Sequence, residues 1–192
     1  GAGAVQTAGD ITTSDDNISF ATAVTLTDNE AVAISSGGGI GTITFGSALD
    51  GEGVDFTENL TVTAGTGNID FDGIVGGTVD LGDVVINSAV DVTADAAVSV
   101  NTITQSAGTG DTQFDGAVTL EGAGGMALTT DTVTINATID TATATNGGTV
   151  TITNAGLLDI APGADMSLDG AFTQNGAGAV QTAGDITTSD DN

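Results

Sequence analysis

Four aspartates, Asp72, Asp95, Asp115 and Asp169, each directly follow an apolar residue in the phrases Phe71-Asp-Gly-Ile-Val75, Ala94-Asp-Ala-Ala-Val98, Phe114-Asp-Gly-Ala-Val118 and Leu168-Asp-Gly-Ala-Phe172. If such phrases stack in successive turns of chain, neighbouring carboxylates come within about 5 Å, where like charges oppose each other unless screened. Calcium, which takes carboxylate and carbonyl oxygens, is the cofactor such a column would hold. The other reading is that Asp beside Gly, Asn or Ser marks a solvated corner. Both readings stand on sequence alone. The glycine-rich calcium nonapeptide is not matched, because the stretch from Gly65 to Gly73 has its glycines and acids in another register.

Paired carboxylates also occur at Asp15 and Asp16 and at Asp70 and Asp72. Glycoside hydrolysis needs two carboxyl groups at a suitable separation, so a polysaccharide-active β-helix enzyme is an alternative to weigh. Against it, the chain has no Lys, Arg or His to hold an acidic sugar and no Trp or Tyr to stack a sugar ring. Nucleophilic catalysis by Ser, Cys or Lys fails for want of a His or Lys base, or of the Cys or Lys itself. The chain is therefore expected not to be an enzyme. Its 26 acidic residues meet no basic side chain, giving a net charge of −26. A phosphate backbone or an anionic membrane surface would be repelled, which excludes nucleic acid as a partner. No apolar run approaches the roughly 20 residues that span a bilayer, so no membrane insertion is expected in this window.

Acidic, aromatic-poor chains are often disordered, but hydrophobic content here is 39% and falls in alternating runs. Leu60-Thr-Val-Thr63 and Thr149-Val-Thr-Ile-Thr153 place apolar groups on one face and hydroxyls on the other, as half-buried strands do. The 30 glycines and the single proline, Pro162, punctuate many short strands. An aromatic or apolar anchor, two turn-forming residues and a small apolar pair then recur at Phe20, Phe45, Phe71, Ala94, Phe114, Ile135 and Leu168. Three short strands accompany each anchor, and each coil supplies its own crossover between parallel strands. This grammar predicts an all-β, right-handed parallel β-helix, a β-solenoid whose anchors stack in one interior column. The interval from Ile135 to Leu168 is longer than the others and contains an extra strand, expected to be a looped-out hairpin or part of two small coils.

A larger repeat encloses the smaller one. Residues 1–17, GAGAVQTAGDITTSDDN, return letter for letter as residues 176–192, a period of 175. Residues 1–192 are thus read as one continuous solenoid segment, with 1–175 one tandem repeat and 176–192 the start of the next. About seven coils per 175-residue unit are expected, advancing roughly 34 Å. The two identical ends should then superpose after a screw translation along the axis.

The phrases running from Leu60 to Thr78, from Thr104 to Gly122 and from Gly147 to Ser189 resemble the low-complexity repeats of giant bacterial surface proteins of the filamentous-haemagglutinin and autotransporter-adhesin type. The resemblance covers essentially the whole chain and rests on repeat grammar. It implies an extracellular or cell-surface β-helix that serves as a fibre, stalk or adhesin shaft, with no fixed binding motif to carry over. Expected partners are neighbouring repeats of the same chain, end to end, and like fibres laterally or a cell surface. Ice binding is a further alternative, because Thr42-Ile-Thr44, Thr61-Val-Thr63, Thr102-Ile-Thr104 and Thr132-Val-Thr134 resemble the threonine ladders of ice-binding solenoids.

Overall fold

The alternation of apolar and polar residues over runs of three to five leaves each strand one face to bury and a backbone ladder to complete. A computed structural model, which describes residues 3–141 and 148–189, meets both needs by coiling. The chain forms a β-solenoid of about eight turns. Every paired strand is parallel to its neighbours in the turns below and above, and no helix occurs among the described residues.

Each turn has three sides. The first sheet holds eight strands, beginning Ile18–Phe20, Ile43–Phe45 and Ile69–Phe71 and ending Thr132–Ile135, Leu158–Ile160 and Val180–Thr182. The second side begins with Val5–Thr7, Val24–Leu26 and Leu49–Asp50. It continues by bridges through Val75 to Val98, then through Val118–Leu120, Ile139–Asp140, Met166–Leu168 and Ile186–Thr188. The third side carries the longer strands, among them Ala31–Ser35, Asn59–Thr63, Leu81–Ser88, Met126–Thr130 and Val150–Asn154. The second and third sides merge where Val98–Gln105 runs through the corner, pairing with Val118–Leu120 by its first residues and with Met126–Thr130 by its last.

Alternation delivers the core from all three sides. Residues such as Ile43 and Phe45, Val24 and Leu26, and Leu60 and Val62 are buried, while the residues between them face outward. The anchor column forms as expected over six positions: Phe20 lies under Phe45, then follow Phe71, Ala94, Phe114 and Ile135, each in direct register with the next. The rings of Phe20, Phe45 and Phe71 are stacked at centroid separations of 5.3 Å and 5.2 Å, within the range where offset aromatic faces attract.

The seventh anchor is a correction. Leu168 is buried, but it stands on the second side, opposite Thr188. The residue above Ile135 is Ile160. The Leu-Asp-Gly phrase misleads because Asp-Gly turns suit more than one corner of the coil, whereas stacking demands a similar length of chain in each turn. Ile160 follows Ile135 by 25 residues, in line with the coils below. The strand Val150–Asn154 is accordingly an ordinary third-side strand, paired with Met126–Thr130 below and Phe172–Asn175 above, and not a hairpin. Residues 142–147, within the same interval, lie outside the described residues.

The identical ends revise the expected seven turns per period. Both copies form strands, at opposite ends of the stack, but they do not lie on the same side. Val5–Thr7 is under Val24–Leu26 on the second side, while its copy Val180–Thr182 is over Leu158–Ile160 on the first. Seven steps up the second side lead from Val5–Thr7 to Met166–Leu168. The copy lies two sides further on, so one 175-residue period spans seven turns and two-thirds, not a whole number.

One turn interrupts the large anchors. Ala94 sits between Phe71 and Phe114, and a cavity of about 30 Å³ opens beside it, lined also by Gln105 and Thr112. Gln105 is 1% exposed; its Oε1 accepts the Thr112 hydroxyl at 2.7 Å, and its Nε2 has no partner. A buried amide left without an acceptor costs about 1–3 kcal/mol. The equivalent residues in adjoining turns, Ile86 and Leu128, Val92 and Val133, are apolar. Replacing the pair together, Gln105→Leu with Thr112→Val, is therefore expected to stabilise the fold by about 1–2 kcal/mol in chemical denaturation. A loss of stability would show that the amide is satisfied in solution.

Candidate functional site

Acidic side chains are the only charged chemistry this chain carries, so a site must be sought among them. The corner after the first sheet brings together three of the four aspartates singled out from sequence. Asp72, Asp95 and Asp115 follow Phe71, Ala94 and Phe114 on consecutive turns, and their N–H groups donate to the carbonyls of Phe45, Phe71 and Ala94 at 2.9–3.0 Å. All three are exposed. The column ends at Asn136, whose Nδ2 donates to Asp115 Oδ1 at 2.7 Å, while Gln113 Nε2 reaches the same carboxylate at 2.8–2.9 Å. Neutral amide donors thus supply part of what a cation would.

Asp169 stands apart. It follows the second side rather than the first, its N–H donates to Thr141 Oγ1 at 3.0 Å, and it lines a shallow cleft with Thr188 and Ser189 near the last turn. Among the described residues, no three acidic groups converge into a set that could hold a metal ion.

The commonest task of the carboxylates is one that sequence reading missed. Along the entry to the first sheet, Asn17 Oδ1 accepts the N–H of Thr42, Asn68 Oδ1 that of Asp91, and Asp91 Oδ1 that of Asp111, at 2.9–3.2 Å. Asp111 in turn accepts the hydroxyls of Thr132 and Thr134. Elsewhere Asp10, Asp15, Asp50 and Asp165 accept backbone N–H groups of Ala33, Gly39, Gly77 and Asp185. In every case donor and acceptor belong to successive turns. Corners break the regular ladder and free N–H groups, and an Asp or Asn in the turn below captures them. These residues pin one turn to the next, and the sequence signal is an Asx residue repeated at the coil spacing.

One carboxylate of each pair weighed for glycoside hydrolysis is engaged in the same way. Asp70 faces outward in mid-sheet and accepts the hydroxyls of Thr44 and Thr93 at 3.4 Å and 3.2 Å. Asp15, with a left-handed φ of 64°, accepts the Gly39 N–H. The Thr-x-Thr triplets are divided: Thr61–Thr63 and Thr102–Thr104 lie on the third side, Thr42–Thr44 and Thr132–Thr134 on the first. They do not form one ladder.

Charge crowds at the corner between the second and third sides. Burial raises the Asp80 carboxyl above the ordinary aspartate range, the hydrogen bond from Ser99 opposes this, and repulsion from Asp55, Glu121 and Asp50 adds to the rise. Nearby, Glu58 is fully buried; its Oε2 accepts the Thr57 hydroxyl at 2.9 Å, and its Oε1 has no partner. A carboxyl whose folded pKa is raised binds protons more tightly in the native state. Its stability contribution is therefore present at low pH and lost as pH rises through the folded value. Asp80→Asn is expected to raise the melting temperature at pH 7 and to leave it unchanged near pH 3. Equal shifts at both pH values would rule out charge as the cause.

Matching against protein-family models, curated proteins and solved structures finds nothing similar to this chain.

Proposed function

We propose that the chain is a unit of a long extracellular β-solenoid fibre, a stalk or adhesin shaft on a bacterial cell, with a mechanical rather than catalytic role. The observation that carries this reading is that one uninterrupted stack runs from a strand of residues 1–17 to the same strand repeated in residues 176–192. Parallel ladders running turn to turn bind the whole length, and the buried column fixes their register. Sheets that face outward on three sides risk edge and face association, and unopposed carboxylates keep such rods apart. With no Lys or Arg, the shaft offers trypsin no cleavage site; with no Cys or Lys, it can hold no disulfide or Lys-Asn isopeptide staple. Its partners are neighbouring units end to end, with a cell surface at its sides. The resemblance to haemagglutinin-type repeats supports the same assignment.

An antibody raised against the 192-residue chain tests this. Immunogold labelling of intact cells that make the protein is expected to decorate extended surface filaments at regular intervals. Label that appears only after the cells are opened would reject the reading.

The consecutive Asp72, Asp95 and Asp115 favour a second reading, calcium binding. On the fibre reading these exposed carboxylates are solvated corners, so calcium and magnesium at equal ionic strength should raise the melting temperature alike, by screening. A rise specific to calcium, abolished by Asp95→Asn, would establish a true site.

A further inference from the structure

We infer that successive 175-residue units join a third of a turn out of phase, so that every surface feature of a unit moves to the adjacent side of the rod in the next unit. This rests on the fibre reading above and adds to it the geometry of the joint.

The joint is already specified by pairings within the chain. Val180–Thr182 lies over Leu158–Ile160 on the first side, and the same sequence as Val5–Thr7 lies under Val24–Leu26. The next copy of Val24–Leu26 therefore continues the first side, although Val24–Leu26 itself belongs to the second. Likewise Ile186–Thr188 lies over Met166–Leu168 on the second side, while Ile11–Thr12 lies under Ile34 and Ser35 on the third. The second side of one unit thus becomes the third side of the next. The third side, ending in Phe172–Asn175, passes to the next copy of Ile18–Phe20, which opens the first. Two of the three columns repeat a pairing already made within the chain, and both set apolar on apolar: Val24 on Val180, as on Val5, and Ile34 on Ile186, as on Ile11.

An in-phase joint is excluded by chain length. It would set Val180 directly over Met166, closing a full turn in 14 residues. The shortest turn measured in register, Val5 to Val24, takes 19. Fourteen residues at about 3.3 Å each span roughly 46 Å of contour, against about 63 Å for nineteen, too little for three strands and three corners.

Each unit therefore advances about 37 Å and steps by one-third of a turn, and three units complete about 23 turns over roughly 110 Å. The aspartate corner at Asp72, Asp95 and Asp115 follows a spiral around the rod instead of a straight seam. Three consecutive units present it in three directions, so a binding partner can approach the fibre from any side, and no lateral face is continuous enough for two rods to zip together.

Cysteine pairs in this cysteine-free chain read the phase. Parallel neighbours about 4.8 Å apart suit a disulfide. Gln181 lies beside Asp159, and its copy Gln6 beside Thr25. Under mild oxidation the double variants Asp159→Cys with Gln181→Cys, and Gln6→Cys with Thr25→Cys, are expected to form linked peptides by mass spectrometry. Ser167→Cys with Gln181→Cys, the in-phase pair, is expected to stay reduced. A Ser167–Gln181 link, or no link from Gln181 to either partner, overturns the one-third step. Neither result bears on whether units continue end to end; that reading fails separately, if a chain with a second unit does not lengthen while the Asp159–Gln181 link persists.

Discussion

Phe45→Asp is expected to abolish cooperative folding of the chain. Phe45 is 1% exposed and lies between the rings of Phe20 and Phe71. Truncating a buried phenylalanine costs about 3–5 kcal/mol. Placing a carboxylate in the space adds the cost of burying a charge, and with no Lys, Arg or His in the chain none can come to meet it. The total rivals the 5–15 kcal/mol that holds a typical domain together. Phe71→Asp should act in the same direction, with relief from the cavity above it. Circular dichroism during heating is the measurement: a broad, weak transition in place of a sharp one. A variant that melts like the parent would mean that the aromatic column is not the core.

Gly76→Ala is expected to be nearly as damaging, through the backbone rather than the core. Gly76 has a φ of 70°, which side-chain-bearing residues avoid, and a Cβ there would collide with the carbonyl oxygen of Ser99 in the turn above. That turn cannot retreat, because the Ser99 N–H donates to Val75 at 2.9 Å and the Gly76 N–H to Leu49 in the turn below at 2.8 Å. A loss of about 3 kcal/mol or more follows. Gly53 is the control: its φ is 78°, but nothing lies within 4 Å of the added methyl group, so Gly53→Ala should cost only about 1–2 kcal/mol. Equal effects at the two sites would show that conformational preference alone, and not the spacing of turns, sets the demand for glycine.

These effects explain what could be read from sequence. Burial in a narrow coil requires an inward residue on every side of every turn, and this repeats an apolar anchor ahead of a turn at roughly the coil length. The stack from Phe20 to Ile135 was legible for that reason. Leu168 was misplaced because its local phrase suits a corner of either side, and only the count of residues per turn distinguishes them. The phase of the identical ends was hidden for a related cause: identity establishes a period, while the number of turns in it depends on every corner between. The aspartates were legible as corner residues but not as inter-turn acceptors, since the N–H group that Asp91 or Asp50 captures lies 20 or more residues away. Buried Gln105 and Glu58 gave no warning, because their chain neighbours alternate as in any other strand.

The central claim is that this chain is a length of continuous axial rod, and small-angle X-ray scattering from chains of one and two units tests it most directly. Appending a second copy of residues 18–192 after Asn192 is expected to increase the maximum dimension by about 37 Å with no change in cross-sectional radius, one period of seven and two-thirds turns at the strand spacing. An unchanged maximum dimension with a thicker cross-section, showing two units folded side by side, would contradict the account.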